Sequence, residues 1–98
     1  MSDRCFKLKI VTPNDSIGPL SCDSLRINIA NNNKDREGGS YGIRKGHAQA
    51  TFALDSGITE ALENGKTVMR AKTSRGFAKV EPSLVTLVVD SAKLIDLN

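Results

Sequence analysis

No tryptophan occurs in this 98-residue chain, and its aromatics are three Phe and one Tyr. A core therefore has to be built from Leu, Ile and Val rather than from large rings. The single histidine, His47, and two cysteines without a CxxC pair, Cys5 and Cys22, leave a Cys/His zinc site incomplete. Both cysteines stand in or beside apolar segments and read as reduced packing residues. No apolar run approaches the roughly 20 residues of a membrane-spanning helix, and the opening MSDRCFK lacks the apolar stretch of a secretory signal. The expectation is a cytoplasmic chain without direct lipid insertion.

What is present is the balance of an ordinary globular protein, 39% hydrophobic and 26% charged, in a length that makes one domain. A net charge of +3 gives weak attraction to acidic partners and falls short of a nucleic-acid-binding signature.

Period-two alternation is the dominant pattern. Phe6, Leu8 and Ile10 alternate with Lys7, Lys9 and Val11, up to a turn at residues 12–15. Leu25, Ile27 and Ile29 repeat the pattern, after which residues 30–40 hold almost nothing to bury and read as a long solvated loop. Ala48, Ala50, Phe52 and Leu54 form a third inward face. Between residues 56 and 65 the residues alone fit two readings, a short helix capped by Ser56 or a hairpin turning at Asn64-Gly65. Residues 66–72, 77–81 and above all 84–89, LVTLVV, return to strand. Many short strands between Gly, Pro and Asn turns predict an all-β fold, a flattened sandwich or barrel of about eight to ten strands.

Two motifs imitate binding signatures. Gly65-Lys66-Thr67 ends like a phosphate-binding loop, but Glu60 stands where that loop needs glycine, so a hairpin turn is the reading. RGFAKVEP at 75–82 imitates the stacking strand of an RNA recognition motif, with Lys79 and Pro82 where aromatics belong; only Phe77 is left as a stacking platform. A small RNA-binding domain of that kind is the alternative function. His47 has no neighbouring nucleophile or carboxylate in sequence, and no catalytic constellation emerges.

Several blocks, in order, resemble one family: the amino-terminal β-sandwich of the epsilon subunit of F-type ATP synthases, called delta in mitochondria. LKIVTP (8–13) is similar to its opening strand, YGIRKGHA (41–48) to its G-I-x-P-G-H-A turn, and LDSG (54–57) to its L-x-P-G. SRGFAKV (74–80) resembles S-G-G-F-x-E-V, and VTLVVDSA (85–92) resembles V-T-V-L-A-D-x-A. Together they cover the chain from Phe6 to Ala92.

The resemblance implies a single domain over residues 1–98, with residues 6–92 as its body and 93–98 as a tail. It favours the hairpin at Asn64-Gly65 over the helix. It implies a non-catalytic rotor subunit without cofactor, partnered by the gamma subunit on one sheet and by the c-ring at the G-H-A end, and so peripheral on the inner face of a bacterial membrane. Residues implied for the ring contact are Tyr41, Arg44, Lys45 and His47, with Glu37 and Ser40 beside them; Tyr41 and Ile43 could instead plug the end of the sandwich. Against the family pattern, Ser40 replaces an acidic residue, Lys45 and Gln49 replace prolines, and residues 31–37 are an insertion, which points to a specialised ring or gamma partner. The two-helix hairpin that usually follows the last strand is expected to be absent, with KLIDLN (93–98) too short to supply it or its ATP site.

Overall fold

The computed structural model describes residues 5–29, 39–46 and 49–97, with residues 39–41 described at the level of their backbone. Ten strands follow one another: β1 (Phe6–Val11), β2 (Ser16–Cys22), β3 (Ser24–Ile29), β4 (Gly39–Arg44), β5 (Ala50–Leu54), β6 (Gly57–Glu63), β7 (Lys66–Thr73), β8 (Gly76–Val80), β9 (Leu84–Val89) and β10 (Ala92–Leu94). The fold is all-β, as the alternation predicts. Among the described residues there is no helix, so neither the capped-helix reading of residues 56–65 nor an RNA-recognition-motif architecture, which needs two helices, applies.

Hydrogen bonding links the strands in the order β10-β7-β6-β3-β5-β8-β9-β1-β2, with β4 on the free side of β3. The join between β3 and β5 is a single pair, Ile29 opposite Leu54. There the sheet folds over into two five-stranded layers, whose inner faces share one core. β1 contributes Phe6, Leu8 and Ile10; Leu25 and Ile27 come from β3; Val85, Leu87 and Val89 come from β9. Phe6 is the only ring among these fully buried side chains, so aliphatic packing carries the fold. Truncating Leu8 or Leu87 to Ala would cost about 2–5 kcal/mol through lost transfer energy and the cavity left behind.

In the core the Thr59 and Thr73 hydroxyls lie 3.0 Å apart, and Thr73 also reaches the Gly57 carbonyl at 3.4 Å. Each buried hydroxyl thus has a partner. Asn64 and Gly65 both take positive φ, 55° and 79°, which is the backbone of a tight hairpin turn between β6 and β7.

Three elements depart from the sequence pattern. β2 forms without alternation, as an edge strand shifted in register between Leu8 and Ile10 of its partner. Gly39 and Ser40, assigned above to a solvated loop, belong to β4, which pairs along all of β3; residues 30–38 lie outside the described residues. In the tail, Lys93 and Leu94 extend an edge strand against Lys72 and Ala71 of β7, and the Ile95 N–H donates to the Arg70 carbonyl at 2.8 Å.

Candidate interaction surfaces

Two surfaces hold the residues singled out by the sequence. The first is a cleft of about 660 Å³ at one end of the first layer, where the turn after β4 faces the β6–β7 hairpin. Antiparallel pairing of β3 with β4 puts Arg44 opposite Ser24 and Arg26 opposite Gly42. On its other side β3 pairs Ser24 with Leu62 and Arg26 with Glu60 of β6. Ser24 and Leu62 line the cleft, together with the cations of Arg26, Arg44 and Lys45 and the carboxylate of Asp23.

Two carboxylates border this region, and both are engaged. Asp23 Oδ2 accepts the Asn64 backbone N–H at 2.8 Å. Glu60 Oε2 accepts from Arg70 Nη2 at 2.8 Å and Nε at 3.3 Å, and from the Thr67 hydroxyl at 2.9 Å. The Arg70 hydrogen bonds, followed by that of Thr67, hold Glu60 below its ordinary value of 4.5. Glu60 Oε1 lies 3.7 Å from Arg26 Nη1, a long contact to a largely exposed side chain.

Of the six residues implied for a ring contact, Arg44 and Lys45 line this cleft. Ser40 and Tyr41 are placed by their backbones, opposite Asn28 and Ile27. Glu37 and His47 lie outside the described residues. Ile43 is buried in the core, opposite Leu25 of β3. Arg26 was not singled out in sequence, because in its alternation it reads as one outward polar residue among others.

The second surface is the outer face of the layer β5-β8-β9-β1. Ala53, Phe77, Val88 and Val11 stand in one cross-strand row. Phe77 is 46% exposed, an unusual position for a phenyl ring. A shallow depression beside it is lined by Val11, Pro13 and Phe77 and bordered by Arg75. The next row, Thr51, Lys79, Thr86 and Lys9, is polar and basic.

Neither cysteine is bonded to the other, and Cys22 is fully buried. Burial first, then the charges of Asp23, Cys5 and Glu63, push its thiol up to about 12. The Cys5 thiol donates to Glu63 Oε2 at 3.6 Å. Among the described residues no group of three or more His, Cys, Asp or Glu could hold a metal ion, and no helix is long and apolar enough to cross a membrane.

The model of the ATP synthase delta/epsilon chain β-sandwich domain matches residues 5–95. The chain belongs to this family. ATP synthase epsilon chains are among its relatives: that of Granulibacter bethesdensis is 29% identical over 86 residues, covering 88% of this chain and 58% of the relative. The Prochlorococcus marinus epsilon chain is 29% identical over 87 residues, covering 89% and 58%. That of Magnetococcus marinus is 37% identical over 54 residues, covering 55% and 39%. A chain in the cryo-EM structure of the Euglena gracilis mitochondrial ATP synthase, OSCP/F1/c-ring in rotational state 1, shares the fold with a TM-score of 0.76 at 22% identity; the match covers 94% of this chain and 56% of that one. This delta/epsilon-type chain thus spans a little over half the length of the first two epsilon chains and of the Euglena chain.

Proposed function

We propose that this chain is the sandwich portion of a central-stalk subunit of an F-type ATP synthase, a non-catalytic rotor part that holds a gamma-type subunit against the membrane c-ring. Torque transfer needs a stiff, shape-matched body and no chemistry of its own. The observation that carries the reading is the family match over residues 5–95. In this reading residues 1–98 act as one domain, peripheral on the inner face of a bacterial membrane through the complex.

The gamma-type partner takes the outer face around Phe77, whose Ala53-Phe77-Val88-Val11 row offers apolar area flanked by basic residues, the make-up of a protein interface centre and rim. The ring meets the opposite kind of surface, the polar end of the sandwich with Arg44 and Lys45, together with Glu37, Ser40, Tyr41 and His47.

Co-expression with the gamma-type subunit encoded in the same genome tests the proposal. The expected result is a stable one-to-one complex that recruits c-ring subunits. A chain that stays monomeric beside its own gamma, and binds single-stranded RNA through Phe77 with a steep salt dependence, would overturn it.

A further inference from the structure

We infer that Asn64 is a site of spontaneous covalent modification in the folded chain: the backbone nitrogen of Gly65 displaces the Asn64 side-chain amide, and water then leaves aspartate or isoaspartate at the tip of the β6–β7 hairpin. The reaction is independent of the rotor reading.

Asn64 is the single asparagine of the chain that is followed by glycine. Any other side chain at the next position crowds the approach of its own nitrogen to the amide carbon, and glycine has none. Space at Gly65 is open, since a Cβ built there would meet nothing within 4 Å, and both turn residues are exposed. Asn64 is held through its backbone N–H, and among the described residues its side-chain amide makes no hydrogen bond. Asn28 shows the contrast: its Nδ2 donates to the Ile58 carbonyl at 2.7 Å, and Ile29 follows it.

Turn geometry supplies the path. Glu63 pairs with Lys66, so Asn64 and Gly65 are the two central residues of the hairpin loop, with φ of 55° and 79°. Positive φ at both is the I′ form. Its left-handed backbone puts the Gly65 nitrogen and the Asn64 Cβ on nearly opposite sides of the Asn64 Cα–C bond, so this form does not itself react. Ring closure brings the two onto the same side, as in the II′ form, whose first central residue has φ of about 60° and ψ of about −120°. Asn64 already has that φ. Rotation of the Asn64-Gly65 peptide plane alone converts one form to the other, with Gly65 crossing to negative φ at no steric cost. Both forms close two-residue hairpins, so β6 and β7 stay paired while the nitrogen comes round.

In the chemical step a base removes the Gly65 N–H proton, the nitrogen pair forms a bond to Asn64 Cγ, and the Cγ–Nδ2 bond breaks with release of ammonia. Water attacking the resulting five-membered imide at Cγ gives aspartate; attack at the backbone carbonyl gives isoaspartate, with one more methylene in the main chain. Either product carries a new carboxylate into the cleft lined by Asp23, Arg26, Arg44 and Lys45, and lowers the net charge of +3 by one. Aspartate tolerates the left-handed backbone and keeps the turn. Isoaspartate lengthens a two-residue loop and draws the N–H of position 64 away from Asp23 Oδ2.

The test ages the folded chain in warm, mildly alkaline buffer beside a copy held unfolded in urea, maps both by peptide mass, and detects isoaspartate with an isoaspartate-specific methyltransferase. Expected is conversion at position 64 far ahead of every other asparagine, in the folded chain at a rate within about tenfold of the unfolded one, because the reactive form is itself a regular hairpin turn. A slower folded rate, or conversion spread alike over the asparagines, would overturn the inference. Asn64→Gly, which keeps the turn, should abolish the signal; a signal that persisted would place the reaction elsewhere. Asp23→Ala separates peptide rotation from hairpin opening. The bond it removes, to the Asn64 N–H, is compatible with both turn forms, so the rate should not change, whereas acceleration would show that the strands must part first and would sink the folded-state path. In mildly acidic buffer, where the imide hydrolyses slowly, a species lighter by one ammonia should keep its β6 and β7 amide signals outside residues 63–66; loss of those signals would count against it equally.

Discussion

The backbone N–H of Asn64 donates to Oδ2 of Asp23 at 2.8 Å across 41 residues of sequence, tying the β6–β7 hairpin to the corner between β2 and β3. A second bond, Asp23 N–H to the Leu62 carbonyl at 2.9 Å, closes the same junction through backbone alone. Asp23→Ala removes the first and keeps the second. It should cost about 1 kcal/mol, the worth of one partly solvated charged hydrogen bond, and lower Tm by about 4–8 °C for a domain of this size. A Tm unchanged within a degree would show that the backbone bond alone holds the corner.

Acid sensitivity should trace to Glu60. Its folded value is depressed below 4.5, chiefly by the Arg70 hydrogen bonds, so the native state binds the proton less readily than the unfolded chain. The stability it contributes is present above the ordinary carboxylate value and is lost as pH falls through the lower, folded one. Urea midpoints measured from pH 6 down to pH 2 should fall less steeply in Glu60→Gln than in the unaltered chain. Equal slopes would place the acid sensitivity elsewhere.

The alkaline limb should carry the mark of Cys22. Its thiol is raised from 9.0 to about 12, so between these values the unfolded chain releases a proton that the folded chain retains. Stability should therefore decline as pH climbs from about 9 to about 12, and Cys22→Ala should flatten the decline. At neutral pH, iodoacetamide should modify half-buried Cys5 while sparing Cys22 until the chain is denatured, as peptide mass mapping would show.

Phe77→Glu separates folding from assembly. The ring is 46% exposed on an outer face, so the change should alter stability by less than about 1 kcal/mol. It should nevertheless abolish co-purification with the gamma-type subunit, because a charge replaces the apolar centre of that face. Lys66→Glu, at the far hairpin, should leave the complex intact. Retention of gamma by the Phe77 variant would move the gamma surface to the other layer.

Sequence read the layers well where one face is buried. Phe6, Leu8 and Ile10 alternate because only one side of β1 meets the core, and the same holds for Leu25 and Ile27. β2 escaped because SIGPLSC is an edge strand with most of its residues in partial contact with solvent, which gives no period to read. β4 escaped for a different reason: its strand character comes from pairing with the backbone of β3, and in GSYGIR the one side chain known to enter the core is Ile43. Arg44 and Lys45 were legible through the family-like block around them. Their neighbour Arg26 was not, since its nearness follows from the register of two strands joined by residues 30–38, and registers are not written in local composition.

β1 lies between β2, its near neighbour in sequence, and β9, with which it runs parallel from Lys7 beside Leu84 to Val11 beside Val88. During synthesis the hairpin of β1 and β2 leaves the ribosome early, but its second edge stays unpaired until residues 84–89 have emerged. The closing step must then bring together segments separated by most of the chain, which is entropically slow and leaves an adhesive strand edge open meanwhile. Lys7 and Lys9 are exposed on that strand, and charged side chains of this kind are a common guard against edge-to-edge association.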